Sequence, residues 1–262
     1  MIAERLPELV QRWRVRIDKS RSALEHGFRS LSAEVVRGVK IELPMGAHRS
    51  FWSGTSGDSD LIEFLARALP EGGLFLDVGG NIGVYSAALW CLRGNLRGVA
   101  FEPIPTTQVL LQSTFELNGV PFDIERAAVS DREGSLTLSS YEHGLNNIWI
   151  KNDDGRHPTT TVRTIALDDW CGVDPNRVPS AIKIDVEGHE LAVLQGARRM
   201  LRAHRPAMVM ECHAGSWDEL GVSRAELEAE VHAIGYKRLC DRNGRPVDFM
   251  NARDTFHMLA IP

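Results

Sequence analysis

The apolar positions of this chain follow two spacings that alternate along its length. Residues 74–77 form a short apolar run that ends in an acid, and residues 84–92 are rich in apolar side chains without a break. A short run bounded by glycine is typical of a buried strand, and a longer one is typical of a helix packed against it. The pattern therefore predicts a strand, a tight loop and a helix, which is the opening unit of an open α/β sheet.

The same alternation predicts the remaining elements. Further strands are expected at residues 39–43, 98–102, 122–129, 135–140, 159–164, 181–186, 207–213, 236–242 and 255–261. Further helices are expected at residues 3–33, 60–69, 106–117, 188–201 and 223–234. Asn243-Gly244 is a hairpin turn signal between the last two strands. The fold class is thus α/β, with a mostly parallel sheet closed by a C-terminal antiparallel hairpin.

The N-terminal segment is expected to be a basic amphipathic helix. Its apolar face includes Leu6, Val10 and Trp13, and arginines surround that face. Three interpretations are open: a helix packed on the main domain, a dimer or substrate-lid element, and a membrane-surface helix. Packing comes first, because Asp18 and Glu25 interrupt the basic face. The second interpretation includes a homo-oligomer formed through this helix.

Length and composition set the domain division and the compartment. A chain of 262 residues fits one large domain with an appendage. We divide it into a helical extension with a short strand, residues 1–48, and a main domain, residues 49–262. The sequence has neither a signal-peptide plan nor an apolar run of the roughly 20 residues that span a bilayer. Four cysteines without paired spacing fit reduced thiols in a cytoplasmic protein: Cys91, Cys171, Cys212 and Cys240.

The loop after the first core strand has the composition of a ligand-binding turn. Asp77, Gly79, Asn81 and Gly83 fall on alternate positions there. In open α/β sheets the ligand lies beyond the carboxyl ends of the strands, where glycine permits close approach of the backbone. The dinucleotide pattern Gly-x-Gly-x-x-Gly does not fit, because Asn81 and Ile82 occupy the position of its second glycine. A strand, turn and helix without a ligand is the alternative interpretation.

An acid at the end of the next strand narrows the ligand class. Glu102 follows Gly83 by 19 residues, and Pro103 stops its strand. A carboxylate at about this distance accepts hydrogen bonds from the two hydroxyls of a ribose. The small residue Ala128, at the end of the third strand, leaves room for a flat adenine ring or packs against a helix. The set favours an adenosine-type ligand.

Ionisable side chains crowd the ends of two later strands. The strand at residues 181–186 and the helix start after it carry Asp185, Glu187, His189 and Glu190. The strand at residues 207–213 ends in Glu211 and His213. A helix dipole alone accounts for carboxylates in a first turn, yet the set exceeds what a helix cap requires. If the two strands are neighbours, their polar ends face one crevice.

The four motifs together resemble the FkbM-like family of S-adenosylmethionine-dependent methyltransferases over about residues 38–262. They are Phe75-Leu-Asp-Val-Gly-Gly-Asn-Ile-Gly83, Phe101-Glu-Pro103, Lys183-Ile-Asp-Val-Glu-Gly-His-Glu190 and Val209-Met-Glu-Cys-His213. The third is the most family-specific, whereas many methyltransferases share the glycine loop. The family often has an aromatic-x-Glu step just before the helix at residue 60, and this chain lacks it. Asp58 and Asp60 are the candidates to take the place of its glutamate.

The resemblance implies the Rossmann-like sheet of class I methyltransferases and S-adenosylmethionine as methyl donor. The residues it implies around the donor are Asp77, Gly79, Asn81, Gly83, Glu102, Pro103 and Ala128. In-line methyl transfer to a hydroxyl requires a base, for which Asp185, His189 and His213 are the candidates, with Glu187 and Glu211 as orienting partners. An open alternative is that Asp185 and Glu211 bind a divalent cation.

The leading interpretation is O-methylation of a hydroxyl on a small molecule, a glycan or a specialised metabolite. Methylation of nitrogen or of a carboxylate by the same fold is the alternative. A nicotinamide oxidoreductase is disfavoured by the missing glycine, and a non-catalytic binding protein by the polar cluster. A net charge of −5 gives no reason to expect nucleic acid as a partner.

Overall fold

The structure is a computed structural model that describes residues 30–44, 57–139 and 159–262. Its strands are β1 Ser30–Val36, β2 Val39–Pro44, β3 Leu74–Val78, β4 Arg97–Phe101, β5 Asp123–Glu125, β6 Ala128–Val129, β7 Gly134–Ser139, β8 Thr159–Ile165, β9 Ala181–Ile184, β10 Ala207–His213, β11 Arg238–Asp241 and β12 Thr255–Ile261. Its helices are α1 Ser59–Ala68, α2 Val84–Arg93, α3 Pro105–Asn118, α4 Leu167–Gly172, α5 Glu190–Gly196, α6 Arg198–His204, α7 Ala214–Leu220 and α8 Arg224–Ile234.

A central seven-stranded sheet has the order β11-β12-β10-β9-β3-β4-β5. The pairs from β10 to β5 are parallel, whereas β12 is antiparallel to both of its neighbours. The predicted α/β class, with one late antiparallel insertion into a mostly parallel sheet, is confirmed. This order and orientation are those of the class I methyltransferase fold. β3 and β9 lie side by side at the centre, so the loops after them open into one crevice.

The sheet is buried on both faces. Phe75 points to a core shared with α1, α2, α3 and the β1–β2 hairpin, whereas Leu76 and Val78 point to a core shared with α5, α6 and α8. Strands covered on both sides are expected to be apolar throughout, and all five positions of β3 are buried. The single charge within β3, Asp77, is therefore an exception that a partner must compensate.

The hairpin β1–β2 corrects one prediction. Residues 30–33 were expected to continue a helix, but they belong to β1, where buried Ala33 and Val35 alternate with more exposed neighbours and pair with β2. A period of two over these few residues is the strand signal that the helical pattern upstream obscured. The helix expected at residues 3–29, and an oligomer formed through it, lie outside the described residues, and the domain division at residue 48 stays a prediction.

Two of the predicted elements are each divided into two in the structure. The strand predicted at residues 122–129 is split into β5 in the main sheet and β6 in a small sheet of order β6-β8-β7, because the Ala127 amide bonds back to the Glu125 carbonyl at 2.9 Å and turns the chain. The helix predicted at residues 188–201 is broken at Ala197, next to Gly196, which packs on the backbone of Ser130. Two short helices, α4 and α7, were not predicted from the sequence.

The other predicted elements are confirmed to within a few residues. α8 opens at the predicted capping box, where the Ser223 hydroxyl accepts a hydrogen bond from the Glu226 amide at 3.2 Å. The four cysteines are free thiols, as expected. No helix among the described residues has the length and apolar character needed to cross a membrane.

Candidate active site

The glycine loop after β3 lies against the backbone that follows β9. Gly79 has a φ of +75°, and a Cβ at this position would lie 1.8 Å from the carbonyl oxygen of Asp185. Only glycine fits such an approach. The amides of Gly79 and Gly80 donate to the Phe101 carbonyl at 3.0 and 2.9 Å, which ties the loop to the end of β4. The loop is therefore held between the two strands that flank β3.

Glu102 is buried just after the end of β4, and its carboxylate binds the backbone of the glycine loop. Its two oxygens accept from the amides of Asn81 and Ile104, each at 2.9 Å. Burial raises the pKa of Glu102 to about 7, although these two amides act in the opposite direction. Each oxygen keeps further acceptor capacity, so the carboxylate is able to bind two hydroxyl groups when it is ionised.

A cavity of about 760 Å³, open to solvent, connects the predicted donor and acceptor residues. Its lining includes Glu102, Pro103, Asn81 and Gly79 together with Asp185, Glu187 and His189. Its apolar lining consists of Phe101, Ile104, Ala128, Val129, Leu136 and Leu138. Sequence reasoning missed Leu136 and Leu138, because their strand β7 is joined to β6 only through β8 in the small second sheet. Apolar side chains beside a buried acid suit an adenosine.

Two of the predicted donor residues support the loop without lining this cavity. Asp77 is buried beneath the loop, where it accepts from the Ser86 hydroxyl at 2.6 Å, and burial raises the pKa of Asp77. Gly83 caps α2 and packs on Leu111 of α3. Asp77 thus orients the loop and the first turn of α2 from below.

Lys183 joins the donor loop to the acceptor side. Its ammonium lies 2.7 Å from the carbonyl oxygen of Gly79, 3.1 Å from Oδ2 of Asp185 and 3.7 Å from Oδ1 of Asp77. Burial alone would lower the pKa of Lys183, but the charges of Asp185 and Asp77 outweigh it and raise this pKa above its usual range. The lysine therefore carries its charge and compensates the acid inside β3. A single lysine in the apolar run of β9 was the sequence signal for it.

His213 lies at the centre of the predicted polar cluster. Its Nε2 atom is 3.4 Å from Glu187, 3.7 Å from Asp185 and 3.9 Å from Glu211, because β10 and β9 are parallel neighbours. Burial lowers the pKa of His213, but the hydrogen bond of Glu190 and the surrounding carboxylates raise it to about 10. Asp185, Glu211 and His213 together provide an oxygen, oxygen and nitrogen set of the type that holds a metal ion.

Glu190 is fully buried and holds the imidazole in place. Its Oε1 atom lies 2.8 Å from Nδ1 of His213 and accepts from the Gly188 amide at 3.0 Å. Its Oε2 atom accepts from Nε1 of Trp217 at 2.8 Å. The carboxylate therefore has a structural task, which fixes the direction in which His213 points.

Glu187 and His189 complete the acceptor end. Glu187 has a φ of +53°, a conformation rare for a residue with a side chain, and burial raises its pKa to about 7. His189 lines the cavity, and burial lowers the pKa of its imidazole, so the ring is neutral at pH 7. Its Nδ1 atom is buried and has no hydrogen-bond partner among the described residues.

A second layer of polar groups, not predicted from the sequence apart from Asp58, borders Glu211. His257 on β12 stands opposite Glu211, with 3.6 Å between its Nε2 and Oε2 of Glu211. Asp58 is buried 4.0 Å from this imidazole and 3.7 Å from the guanidinium of Arg242. Burial raises the pKa of Asp58, against the charge of His257 and a hydrogen bond from Tyr85. Asp60, the other predicted substitute, is exposed and forms an ion pair with Arg242.

Known proteins with similar sequences are methyltransferases. Residues 77–238 match the family described as the methyltransferase FkbM domain. The hexuronic acid methyltransferase AglP of Haloferax volcanii is 29% identical over 176 residues, which cover 67% of this chain and 70% of AglP. Methyltransferase 1 of Beauveria bassiana is 28% identical over 147 residues, which cover 48% of this chain and 59% of that protein.

A solved structure gives a weaker likeness. The crystal structure of methyltransferase FkbM from Methylobacillus flagellatus KT superposes with a TM-score of 0.47 at 20% sequence identity. The alignment covers 72% of this chain, and the chain spans 43% of that protein.

Proposed function

This chain belongs to the methyltransferase FkbM domain family, and from that premise we propose that it transfers the methyl group of S-adenosylmethionine to an oxygen atom of a sugar-type acceptor. It is an S-adenosylmethionine-dependent methyltransferase by family. The acceptor and its atom are the part we propose here.

The observation that carries the proposal is the shared cavity. A buried acid suited to ribose hydroxyls, Glu102, and the polar side chains of Asp185, Glu187 and His189 line the same space. Methyl transfer requires the sulfonium and the acceptor oxygen to lie in line and close together. A cavity bounded by both groups supports that arrangement, because neither reactant has to cross the protein.

The residues of this chain position the reactants and move one proton. Bound S-adenosylmethionine supplies an electrophilic methyl group. Glu102 would accept from its ribose hydroxyls, and the backbone around Gly79 would hold its amino-acid end. In such a transfer the acceptor oxygen would form the new bond to the methyl carbon, the electron pair of the carbon–sulfur bond would stay on sulfur, and a base of this chain would take the hydroxyl proton.

We assign the base to His189 among the predicted candidates. It lines the cavity, and its Nδ1 atom has no hydrogen-bond partner in the described part of the chain. Asp185 is bound to Lys183, and His213 is bound to Glu190. Glu187 and Glu211 border His213 and orient the acceptor end. A neutral, unbonded imidazole nitrogen is the group best suited to receive a proton.

A sugar-type acceptor is supported by the relative AglP, whose name gives a hexuronic acid as its substrate. A hexuronic acid offers hydroxyl groups and a carboxylate, so the likeness fits an ether or an ester product. Nothing comparable favours nitrogen. The in-line geometry is the same for both oxygen types, but only a hydroxyl requires the base.

The test is a transfer assay with isotopically labelled S-adenosylmethionine and a matched acceptor set: a hexuronic acid, its methyl ester, the neutral hexose and the amino sugar. Label on the hexose and on the methyl ester, resistant to mild alkali, is the expected result. Alkali-labile label restricted to the free acid would show carboxyl methylation, and label on the amino sugar alone would show N-methylation. Replacement of His189 with Asn should lower turnover roughly 100-fold or more without changing S-adenosylhomocysteine affinity. Absence of measurable S-adenosylhomocysteine binding to the native chain would reject the proposal.

A further inference from the structure

Metal-ligand atoms from two neighbouring strands converge beside the methyl-transfer cavity. Asp185, Glu211 and His213 each offer one ligand atom, and these three atoms lie within 4.8 Å of one another. Nε2 of His213 is 3.7 Å from Oδ1 of Asp185 and 3.9 Å from Oε1 of Glu211. With metal–ligand bonds of about 2.1 Å, the ligands of one octahedral ion lie roughly 3 to 4.2 Å apart. Shifts of a few tenths of an ångström would therefore complete the set.

The imidazole is oriented in the way that metal-binding histidines are oriented. Oε1 of Glu190 lies 2.8 Å from Nδ1 of His213, and the same carboxylate accepts from Gly188 and from Trp217. A carboxylate that already accepts two N–H groups acts as an acceptor towards Nδ1 too, so Nδ1 carries the hydrogen. A buried carboxylate behind the far nitrogen is the usual support of a histidine ligand, because it fixes the ring and makes Nε2 a better donor of its electron pair.

Nε2 of His213 is aimed at the carboxylates of the cluster. The His213 side chain is 10% exposed, and Nε2 lies 3.4 Å from Glu187, 3.7 Å from Asp185 and 3.9 Å from Glu211. A cation bound among these oxygens would take the place of the Nε2 proton, because histidine binds a metal ion through a deprotonated nitrogen.

The balance of charge also favours a cation. Three carboxylates, those of Asp185, Glu187 and Glu211, lie within 3.9 Å of Nε2 of His213. The ammonium of Lys183 pairs with Oδ2 of Asp185, and Oδ1 of Asp185 faces the cluster. His257 faces the outer oxygen of Glu211, Oε2. The inner oxygens, Oδ1 of Asp185 and Oε1 of Glu211, face Nε2 of His213, and a bound cation would replace the proton on that nitrogen.

We propose that Asp185, Glu211 and His213 bind one divalent cation, of the Mn²⁺ or Mg²⁺ class, next to the acceptor end of the cavity. Two carboxylates with one imidazole suit such an ion, which keeps sites for water or an acceptor oxygen. The use of the ion to bind the acceptor and to lower the pKa of its hydroxyl rests on the proposed function. The binding of the ion rests only on the three side chains.

The experiment measures Mn²⁺ alone against the unliganded protein, by calorimetry and by loss of the free-ion signal in electron paramagnetic resonance. One saturable site per chain is expected. Asp185→Asn and Glu211→Gln should each weaken it at least tenfold, and Glu190→Gln, which only supports His213, should weaken it about 10- to 100-fold. Asp169→Asn is the matched control, because Asp169 is an exposed acid paired with Arg199 and should leave binding unchanged.

Circular dichroism of each variant shows whether it is folded, and Glu211, which is partly exposed, provides a second ligand variant if Asp185→Asn fails to fold. No saturable Mn²⁺ binding below 1 mM in the native chain, or binding that survives both ligand replacements, would overturn the proposal. S-adenosylhomocysteine affinity is measured on the same samples. If it persists while Mn²⁺ binding is absent, the cation site alone is rejected and methyl transfer stands.

Discussion

At the scale of single residues, Glu102 shows how burial prepares a carboxylate for a ligand. Its two backbone amide donors fix its orientation, while its low exposure deprives it of water. Such a group is costly to ionise in the empty protein and gains partners when a ligand supplies hydroxyl donors. We therefore expect Glu102 to contribute to the affinity for the methyl donor, and this contribution can be measured.

Replacement of Glu102 with Ala should weaken S-adenosylhomocysteine binding by about 1–3 kcal/mol, or roughly 5- to 150-fold, because one charged acceptor is lost. Calorimetry measures this change. Glu116→Ala is the control, since Glu116 is exposed on α3 and its side chain bonds to the neighbouring Gln112. Equal affinity in the Glu102 variant and the native protein would remove Glu102 from the donor site.

The same residue predicts a dependence on pH. Only the ionised carboxylate accepts from two hydroxyls, and the pKa of Glu102 in the unliganded protein is about 7. Affinity should therefore fall as the pH is lowered through 7, and this fall should be absent in Glu102→Ala. The sign for stability is opposite: a raised pKa favours the folded state at low pH, and that contribution is lost as the pH rises through about 7.

The positions of the candidate site residues could be predicted from the sequence where they belong to a motif. Asp185, Glu187, His189, Glu211 and His213 do come together, since they follow neighbouring strands. The roles of Lys183 and His257 could not be predicted in the same way. Each depends on which strand lies beside it, and strand order is not a local property.

At the scale of elements, the contact between the glycine loop and the end of β9 couples the donor and acceptor sides. Gly79 combines a left-handed conformation with close approach to the Asp185 carbonyl. Gly94, at the end of α2, has a similar φ of +68° with no atom within 4 Å of its would-be Cβ. Alanine substitutions at the two positions therefore separate the energetic cost of the left-handed conformation from the cost of the close contact.

Gly94→Ala should destabilise the protein by about 1–2 kcal/mol, the cost of a left-handed conformation with a side chain. Gly79→Ala should cost about 2–5 kcal/mol, because overpacking is added to that cost. Urea unfolding measures both, and S-adenosylhomocysteine binding should weaken only in Gly79→Ala. Equal destabilisation by the two variants would contradict the close contact.

Elements with local signals were predictable, and those set by tertiary contact were not. The capping box of α8 and the glycine stop after α3 lie within the segments they bound. By contrast, the break at Ala197 follows from the packing of Gly196 on Ser130, some 66 positions earlier in the chain. The turn at Ala127 exists because β5 and β6 join different sheets.

At the scale of the whole molecule, the β1–β2 hairpin is held on the main domain by hydrogen bonds from Asn118 and by its apolar face. The side-chain amide of Asn118, the last residue of α3, accepts from the Glu42 amide at 2.8 Å and donates to the Glu42 carbonyl at 2.7 Å. Ile41 and Leu43 beside it are buried in the core shared with α2 and α3. The hairpin therefore closes one face of the sheet, away from the cavity.

Asn118→Ala should lower the free energy of unfolding by about 1–3 kcal/mol, because the two hydrogen bonds to Glu42 and one to the Thr114 carbonyl are lost. S-adenosylhomocysteine affinity should stay unchanged, because no residue of β1 or β2 lines the cavity. Gln112→Ala, on the exposed side of the same helix, is the control and should leave both quantities unchanged. A loss of affinity in Asn118→Ala would show that the hairpin shapes the donor pocket.

The position of β12 between β10 and β11 also fixes an order of events during synthesis. Among the described strands β11 pairs only with β12, although it precedes β12 in the chain. A growing polypeptide can therefore assemble the parallel strands up to β10 as they leave the ribosome, while β11 must wait. His257 arrives with β12 and meets Glu211 at that moment. Until residues 255–261 are made, the nascent chain exposes an unpaired strand edge next to the polar cluster of β9 and β10, which is the stage at which a chaperone would be needed most.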